Sequence, residues 1–416
     1  MSYKRLGDYI QPVNIRNNDL GVTTLLGVSI RKILMPSIAN TIGTNMKTYK
    51  IIKQNQFAYG PVTSRNGDKI SIALLEEHET AIVSQAYTVF EVKDEQEVLP
   101  EYLMMWFRRP EFDRFTRFKS HGSAREVFDW EELCDTQLPI PSIEKQRQIV
   151  AEYNTVTNRI NLNNQLNQKL EATSQALYKH WFVDFEFPNQ DGKPYKSSGG
   201  EMVFNEELEK GIPVGFSLLP ISNFCDVTFS KRIYQSEYTN SGIPFYRSKE
   251  IILKKKGVPL RNEIYIKLDR YVELSEKFGG ISKGDILLTA VGTIGISYLI
   301  TKSDKFYFKD GNLFWFKNFK TEGYNHLIYE WMQTKSFEEK LEEITFGSTQ
   351  KVITTKAVYL LNHISPNLDT LKKYNFLVGK IYCQMENLRN QSHFLNETKS
   401  LLLSKMTQSA IKQKVV

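Results

Sequence analysis

The spacing of apolar side chains along this chain settles into one long period twice. No glycine or proline falls between Ile143 and Asp184, and positions 146, 149, 153, 156, 160, 163, 167, 170, 174, 177 and 181 advance by threes and fours throughout. They hold Gln146, Ile149, Tyr153, Val156, Ile160, Asn163, Asn167, Leu170, Ser174, Leu177 and Trp181. A step averaging 3.5 residues marks a helix whose stripe faces another helix. The step returns after Pro366, through Leu371, Tyr374, Val378, Ile381, Met385, Leu388, Ser392, Leu395, Lys399, Leu402 and Met406, with Gly379 as its one glycine. Helices are therefore expected over residues 143–183 and 368–408, the first a rod of roughly 60 Å. Ser142 and Lys145 make half a capping box, and Glu144 suits the N-terminal dipole. Neither rod can bury its partly polar stripe alone. Antiparallel packing of one on the other is the expected solution, and the broad apolar face at residues 401–403 suggests a further protein surface as well.

Elsewhere the pattern is that of short strands and turns. Residues 51–52, 57–59, 70–75, 86–92 and 138–141 read as strands, with turn signals at Gly60-Pro61 and Asn66-Gly67. A helix is expected over residues 102–118, interrupted near Pro110. After a Pro/Gly-rich connection at 187–216, expected to run across a surface, strands follow at 285–289, 296–300 and 313–316, then a helix at 326–343. The chain so divides into a first globular block (1–142), a first rod (143–186), a connection with a second block (187–367) and a second rod (368–416). This is an α+β architecture: two similar globular domains separated by two long helices packed as an antiparallel coiled coil, with pseudo-two-fold symmetry.

The blocks are similar because the chain is written twice. Gly122-Ser123 opens a stretch ending at Pro141, and Gly347-Ser348 opens one ending at Pro366, 225 positions later. The same offset carries Trp106 onto Trp331 and Phe112 onto Phe337. Copies of this length are duplicated domains rather than solenoid repeats. A net charge of +7 permits a nucleic-acid partner without demonstrating one. Three scattered cysteines fit a reduced compartment. No secretory leader and no bilayer-length apolar run is seen, so no membrane is expected. There is no Walker sequence, no HExxH, no cysteine pair and no [DNS]PP[YFW] methyltransferase motif, so neither a metal nor intrinsic methyl transfer is expected. Two heads on a rigid spacer suit a ligand with two sites at fixed separation, such as duplex DNA; roughly 60 Å corresponds to roughly 18 base pairs of rise. A nuclease or methyltransferase acting by itself, which the missing motifs speak against, and a coiled-coil scaffold without nucleic-acid recognition are the competing readings.

Several local sequences carry a family resemblance: LPIPSIEKQRQIV at 138–150, GDILLTAVGTIG at 284–295, GSAREVF at 122–128 and GSTQKVI at 347–353. In this doubled order the chain resembles the specificity subunit of Type I restriction–modification systems over nearly its whole length. The second junction departs from the pattern, since PNLDTLKKYNFLV lacks the Glu-Lys-Gln of the first. The resemblance implies a non-catalytic, cytoplasmic prokaryotic subunit with two target-recognition domains. It would place two adenine-N6 methyltransferase (modification) subunits, carrying S-adenosylmethionine, on a bipartite asymmetric site in duplex DNA. Restriction motor-nuclease subunits, with ATP and Mg, would join them. The rods would dock the methyltransferase subunits and set the gap between half-sites.

A reader of DNA needs cations for phosphate and forked or hydroxyl side chains for base edges. In the first block Arg31, Lys32, Lys47, Tyr49, Lys50, Thr63, Ser64 and Arg65 meet that need, Arg65 best of all in its turn-rich loop. In the second block Lys231, Arg232, Arg247 and the loop from Thr289 to Thr293 do. Gly292 and Gly295 allow either close backbone approach to a ligand or a tight sheet corner. Ser123 and Arg125, with Ser348, Gln350 and Lys351, occupy the same place in both copies, either as a phosphate-proximal loop or as a structural turn. Lys254, Lys255 and Lys256 read as a solvated hairpin tip, or as cations tracking phosphate. For rod packing or partner docking the candidates are Ile149, Val156, Ile160, Leu170, Leu177 and Trp181 on the first rod, and Val378, Ile381, Met385, Leu388, Leu395 and Leu402 on the second. The HWF sequence at 180–182 would anchor a partner or the second block.

Overall fold

A computed structural model describes the chain apart from residues 1–2, 38–42, 65, 67–68, 123–125, 259, 261–263, 347–351 and 412–416. The chain folds into two compact units, residues 1–162 with 392–416, and residues 163–391.

In the first unit an antiparallel sheet runs in the order Ile10–Val13, Thr88–Val92, Phe57–Gly60, Ser71–Leu74. Phe57 and Phe90 stack across neighbouring strands at 4.7 Å, and Phe107 meets both edge-on. Phe107 arrives from the helix Pro100–Phe107, and Pro110 opens the next helix, Pro110–Lys119. Both prolines sit at helix starts, where a missing N–H costs nothing. The expected interruption near Pro110 is thus a true break. Small ladders at Leu26–Val28 with Leu34–Pro36 and Lys50–Lys53 with Thr80–Val83 complete this unit's upper part. Tyr3–Arg5 pairs with Gln137–Pro139, the strand that leads into the first rod.

The second unit repeats the plan. Its sheet order is Asp226–Thr228, Leu313–Lys317, Ile286–Thr289, Ser297–Leu299. Two helices, Tyr324–Trp331 and Lys335–Glu343, then follow, where a single helix was expected. Thr334 divides them, because its side chain caps the Phe337 N–H and competes with helix continuation. Ser217–Pro220 pairs with Asn362–Ser365 as the first ladder of the other unit does. Thr88–Val92 maps onto Leu313–Lys317 at the 225-position offset. The reciprocal bridge His121↔Val127 likewise maps onto Phe346↔Val352. Into this plan the second unit inserts a further sheet, ordered Tyr238–Thr239, Ile264–Ile266, Ile243–Tyr246, Tyr307–Phe308, whose last pair is parallel. The connection at 187–216 is not a bare surface run. It forms the hairpin Met202–Asn205 with Lys210–Pro213, and Phe187 is buried between Tyr195 at 4.6 Å and Phe216 at 5.0 Å. Aromatic burial outweighs its high turn content.

The rods are the helices Ile143–Tyr178, continued by one π-helical turn at Lys179–Val183, and Leu368–Ile411. Each expected stripe position is buried or half-buried. In the first unit Tyr153 shares a core with Leu403 and Met406, and the Lys399 ammonium lies 5.0 Å over its ring. In the second unit Trp181 and Phe182 meet Tyr374 at 5.8 and 4.8 Å, and Asn163 donates to Gln391 at 2.9 Å. In both units the early part of one helix meets the late part of the other, so the rods pack antiparallel. Trp181 and Phe182 anchor the second block's own core. No helix among the described residues is long and apolar enough to cross a membrane.

Two outcomes follow from this packing. Val378 is fully buried, so Val378→Asp should cost about 3 kcal/mol or more in thermal or denaturant unfolding. Leu162→Asp, on the same pair of rods but 43% exposed, should stay within about 0.5 kcal/mol. His363 is enclosed between Tyr178, whose hydroxyl lies 2.9 Å from its Nε2, and Trp331. Burial, aided by Lys340, pushes its pKa down to about 3 from 6.5. A depressed folded pKa means stability is intact above 6.5 and drains away as pH falls from there toward 3. His363→Gln should therefore show a shallower loss of stability across that window, with about one fewer proton taken up on unfolding.

Candidate nucleic-acid interface

In the second unit the parallel strand pair Ile243–Tyr246 and Tyr307–Phe308 delivers its next residues to one place. Lys309 N–H donates to the Tyr246 carbonyl at 2.8 Å, and Ser230 Oγ donates to the Phe308 carbonyl at 2.6 Å. Lys231 N–H donates to the Tyr307 hydroxyl at 2.9 Å, and Arg232 pairs with Asp310 at 3.0 Å. Asn312 accepts from both Ser248 Oγ and Ala290 N–H. The turn at 309–312 is therefore a hub joining Lys231, Arg232, Arg247 and the loop after Thr289. Gly311, at φ 69°, permits this turn. Sequence reasoning passed over the hub, although Asp310-Gly311 between two strands is a strong turn signal.

The side chains at this place differ in what remains open to a ligand. The exposed Lys231 ammonium lies 4.6 Å over the Phe278 ring, and Lys277 lies 5.4 Å over the same ring. Arg232 is two-thirds exposed beside Asp310. Arg247 is forked onto Glu250, whose hydrogen bond raises the guanidinium pKa. Thr289 is fully buried. Its hydroxyl donates to the Thr293 carbonyl at 2.6 Å and accepts from Ile296 N–H at 2.9 Å. Thr289 thus shapes the loop, while Thr293 stands exposed on it.

The first unit offers a smaller set. Lys47 is exposed on a turn that Asn45 caps, and the Arg16 guanidinium donates to the neighbouring Thr48 carbonyl. Lys50 donates to the Tyr87 carbonyl at 2.7 Å, and burial, with Arg16 adding, lowers its pKa. Arg16 is a cation that the sequence did not single out; its isolated position gave no signal. Ser64 is exposed beside Thr63, whose hydroxyl donates to Ser120 Oγ at 2.9 Å and whose N–H donates to Glu126 at 3.0 Å. Those bonds bring the loop of Ser64 against the flanks of the Gly122 segment. Arg65, Ser123, Arg125, Ser348, Gln350 and Lys351 lie outside the described residues. Lys32, also weighed for phosphate, is turned inward: it is 5% exposed, 2.7 Å from Asp113, and donates to the Phe107 carbonyl. Its ammonium is committed to holding a hairpin on two helices. Lys255 is likewise no hairpin tip but the end of the helix Ser248–Lys255, bonded to Glu171, Tyr329 and Gln333.

Among the described residues no cluster of His, Cys, Asp and Glu could hold a metal ion. Cys134 and Cys225 are buried free thiols, and burial pushes Cys225 up to about 12.

Residues 31–172 match the family model of the Type I restriction modification DNA specificity domain. The Type I restriction enzyme MjaIX specificity subunit of Methanocaldococcus jannaschii is 29% identical over 171 residues, 41% of this chain and 37% of that protein. The HindI specificity subunit of Haemophilus influenzae is 28% identical over 157 residues, 37% of this chain and 34% of that protein. The chain thus aligns with little more than a third of the length of these curated relatives. The S subunit of a Type I restriction-modification system from M. genitalium superposes with a TM-score of 0.55 over 97% of this chain and 95% of that one; at 10% identity the likeness speaks for the fold. With its doubled plan and paired rods, the chain is similar to the specificity subunits of Type I restriction–modification systems, in sequence over residues 31–172 and in fold over nearly its whole length.

Proposed function

We propose that the chain recognises a bipartite, asymmetric site in duplex DNA, one half-site to each globular unit. In doing so it positions two adenine-N6 methyltransferase subunits and the motor-nuclease subunits on that site. The observation that supports this most is the doubling of the whole recognition plan. The same four-strand order, the same bridge before a short N-capped helix (Trp130–Cys134 in one copy, Thr355–Tyr359 in the other), and a long helix after each recur in both copies. Two versions of one reader with unlike loops suit two unlike half-sites. Specificity subunits of this family are non-catalytic. Methyl transfer, with S-adenosylmethionine, belongs to the methyltransferase partners, and ATP and Mg to the motor-nuclease partners.

In this reading residues 1–142 and 187–367 hold the recognition domains, and 143–186 and 368–416 the rods that partners dock on. Lys231, Arg232, Arg247 and Thr293 face DNA from the second unit, with Thr289 shaping the loop. Lys47, Lys50, Ser64 and Arg65 do so from the first. Ser123, Arg125, Ser348, Gln350 and Lys351 approach phosphate from the paired glycine loops.

Mapping of methylated adenines on DNA modified by the co-expressed complex tests the proposal. One bipartite motif with a fixed gap is expected; methylation without a motif, or equal binding to all sequences, returns the chain to a coiled-coil scaffold. Within the complex, Lys231→Ala should weaken binding to all sequences and lower the slope of log affinity against log salt by about 1. Thr289→Val should lower the unfolding free energy by about 1–2 kcal/mol and impair the half-site of the second unit alone. Arg65→Ala should impair the other half-site alone.

A further inference from the structure

A clamp fastens the reading surface of the second unit to the first rod, and it is built around one ammonium. Lys255 Nζ donates to Glu171 Oε1 at 3.1 Å, to the Tyr329 hydroxyl at 2.6 Å and to Gln333 Oε1 at 3.0 Å. All three of its protons are thereby used. Glu171 lies on the first rod, Tyr329 on the helix Tyr324–Trp331, and Lys255 ends the helix that follows the strand Ile243–Tyr246 of the inserted sheet. The bonds continue outward. Gln333 Nε2 donates to Ser297 Oγ at 2.5 Å. Ser297 adjoins Ile296, whose N–H donates to Thr289 in the candidate loop. The path thus runs from the rod to the loop through four side chains.

The rod face at Asn164, Asn167 and Gln168 and the loop at Gly292 and Ile294 line a cleft of about 940 Å³. Lys255 and Glu171 line that cleft and bridge it, while Val291 and Ile294 of the loop pack on the apolar core beside it. The Lys255 side chain is 18% exposed, and burial opposes its charge, yet Tyr329 and Glu171 outweigh burial and raise the ammonium pKa. A desolvated ion pair of this kind adds little net stability over an apolar contact, but its geometry admits one docking arrangement.

We propose that Lys255 is a positioning residue for recognition, which holds the inserted sheet and the Thr289–Thr293 loop at one setting on the first rod and so narrows the range of half-site gaps the complex accepts. This rests on the proposed reading of a bipartite site. The test uses the full chain assembled with its methyltransferase subunits, on DNA carrying both half-sites with the native gap or with one base pair added or removed. Lys255→Met should leave both half-site sequences unchanged and raise methylation at the altered gaps relative to the native gap by about tenfold. Glu171→Gln, from the half-exposed end of the clamp, keeps an amide oxygen that can accept from Lys255 but removes its counter-charge, and should shift the profile the same way. A gap profile unchanged in both variants, or methylation lost in equal proportion at every gap, would overturn the clamp, since loss of folding alone scales the profile without reshaping it. A wild-type complex that shows no half-site preference would instead sink the recognition reading, and this inference with it.

Discussion

The structure depends on two helical stripes that cannot be left in water. Each rod carries a stripe of mostly apolar side chains on one face, and a fully buried aliphatic or aromatic side chain stabilises by roughly 1.5–3 kcal/mol. Isolated, either helix would expose that face. In the first unit the face at Tyr153 is covered by Leu403 and Met406; in the second, the face at Trp181 and Phe182 is covered by Tyr374. The mutual cover is also what ties residues distant in sequence into each unit. The C-terminal helix closes the core of the N-terminal block, so the first unit is not a contiguous stretch of chain.

The two copies solve one junction with different chemistry. At the head of the first rod Gln146 is fully buried and satisfied. Its Oε1 accepts from Leu99 N–H at 2.9 Å, and its Nε2 donates to the carbonyls of Glu97 and Pro141 at 2.8 and 2.9 Å. At the equivalent position of the second rod stands Leu371, also fully buried. Facing it, the residue before the helix Tyr324–Trp331 is Gly323, at φ 96°, where a Cβ would come within 2.8 Å of Asn375 and 3.4 Å of Leu371. A polar latch to backbone in one copy is replaced by close apolar approach in the other, made possible by a glycine. The absence of the Glu-Lys-Gln run from the second junction is therefore a change of mechanism at a retained joint.

This contrast also marks what could be read from the sequence. The rods, their stripes, the antiparallel pairing and the duplication were legible because periodicity of 3.5 and an offset of 225 are properties of the chain itself. Strands such as Phe57–Gly60, Ile286–Thr289 and Leu313–Lys317 were found from apolar runs between turn signals, while others, among them Ile10–Val13 and the whole inserted sheet, were not. What could not be read were partnerships across the fold. Lys32 looked like a phosphate contact, and nothing local said that Asp113 would lie 2.7 Å away. Lys255 looked like part of a solvated basic run, and Glu171 was beyond any local window. The break at Thr334 turned on one hydroxyl finding the Phe337 N–H, a choice that apolar spacing does not record.

The same reasoning bears on where specificity resides in such a fold. The second unit's main sheet is lined by Leu287, Leu288, Phe314 and Phe316, all fully buried, and its shape is set by packing. The inserted sheet packs its own apolar core of Ile243, Phe245, Ile266, Leu274 and Tyr307, while its edges and the 309–312 hub carry hydrogen bonds and ion pairs, including Arg232 with Asp310 and Arg247 with Glu250. Cores tolerate little change in volume, whereas half-exposed polar edges can exchange residues at small cost. In the proposed reading, where the recognition surface differs between two copies and the scaffold does not, this division suits the task. The unlike inserts of the two units, small ladders in one and a four-stranded sheet in the other, sit on the side where change is cheap.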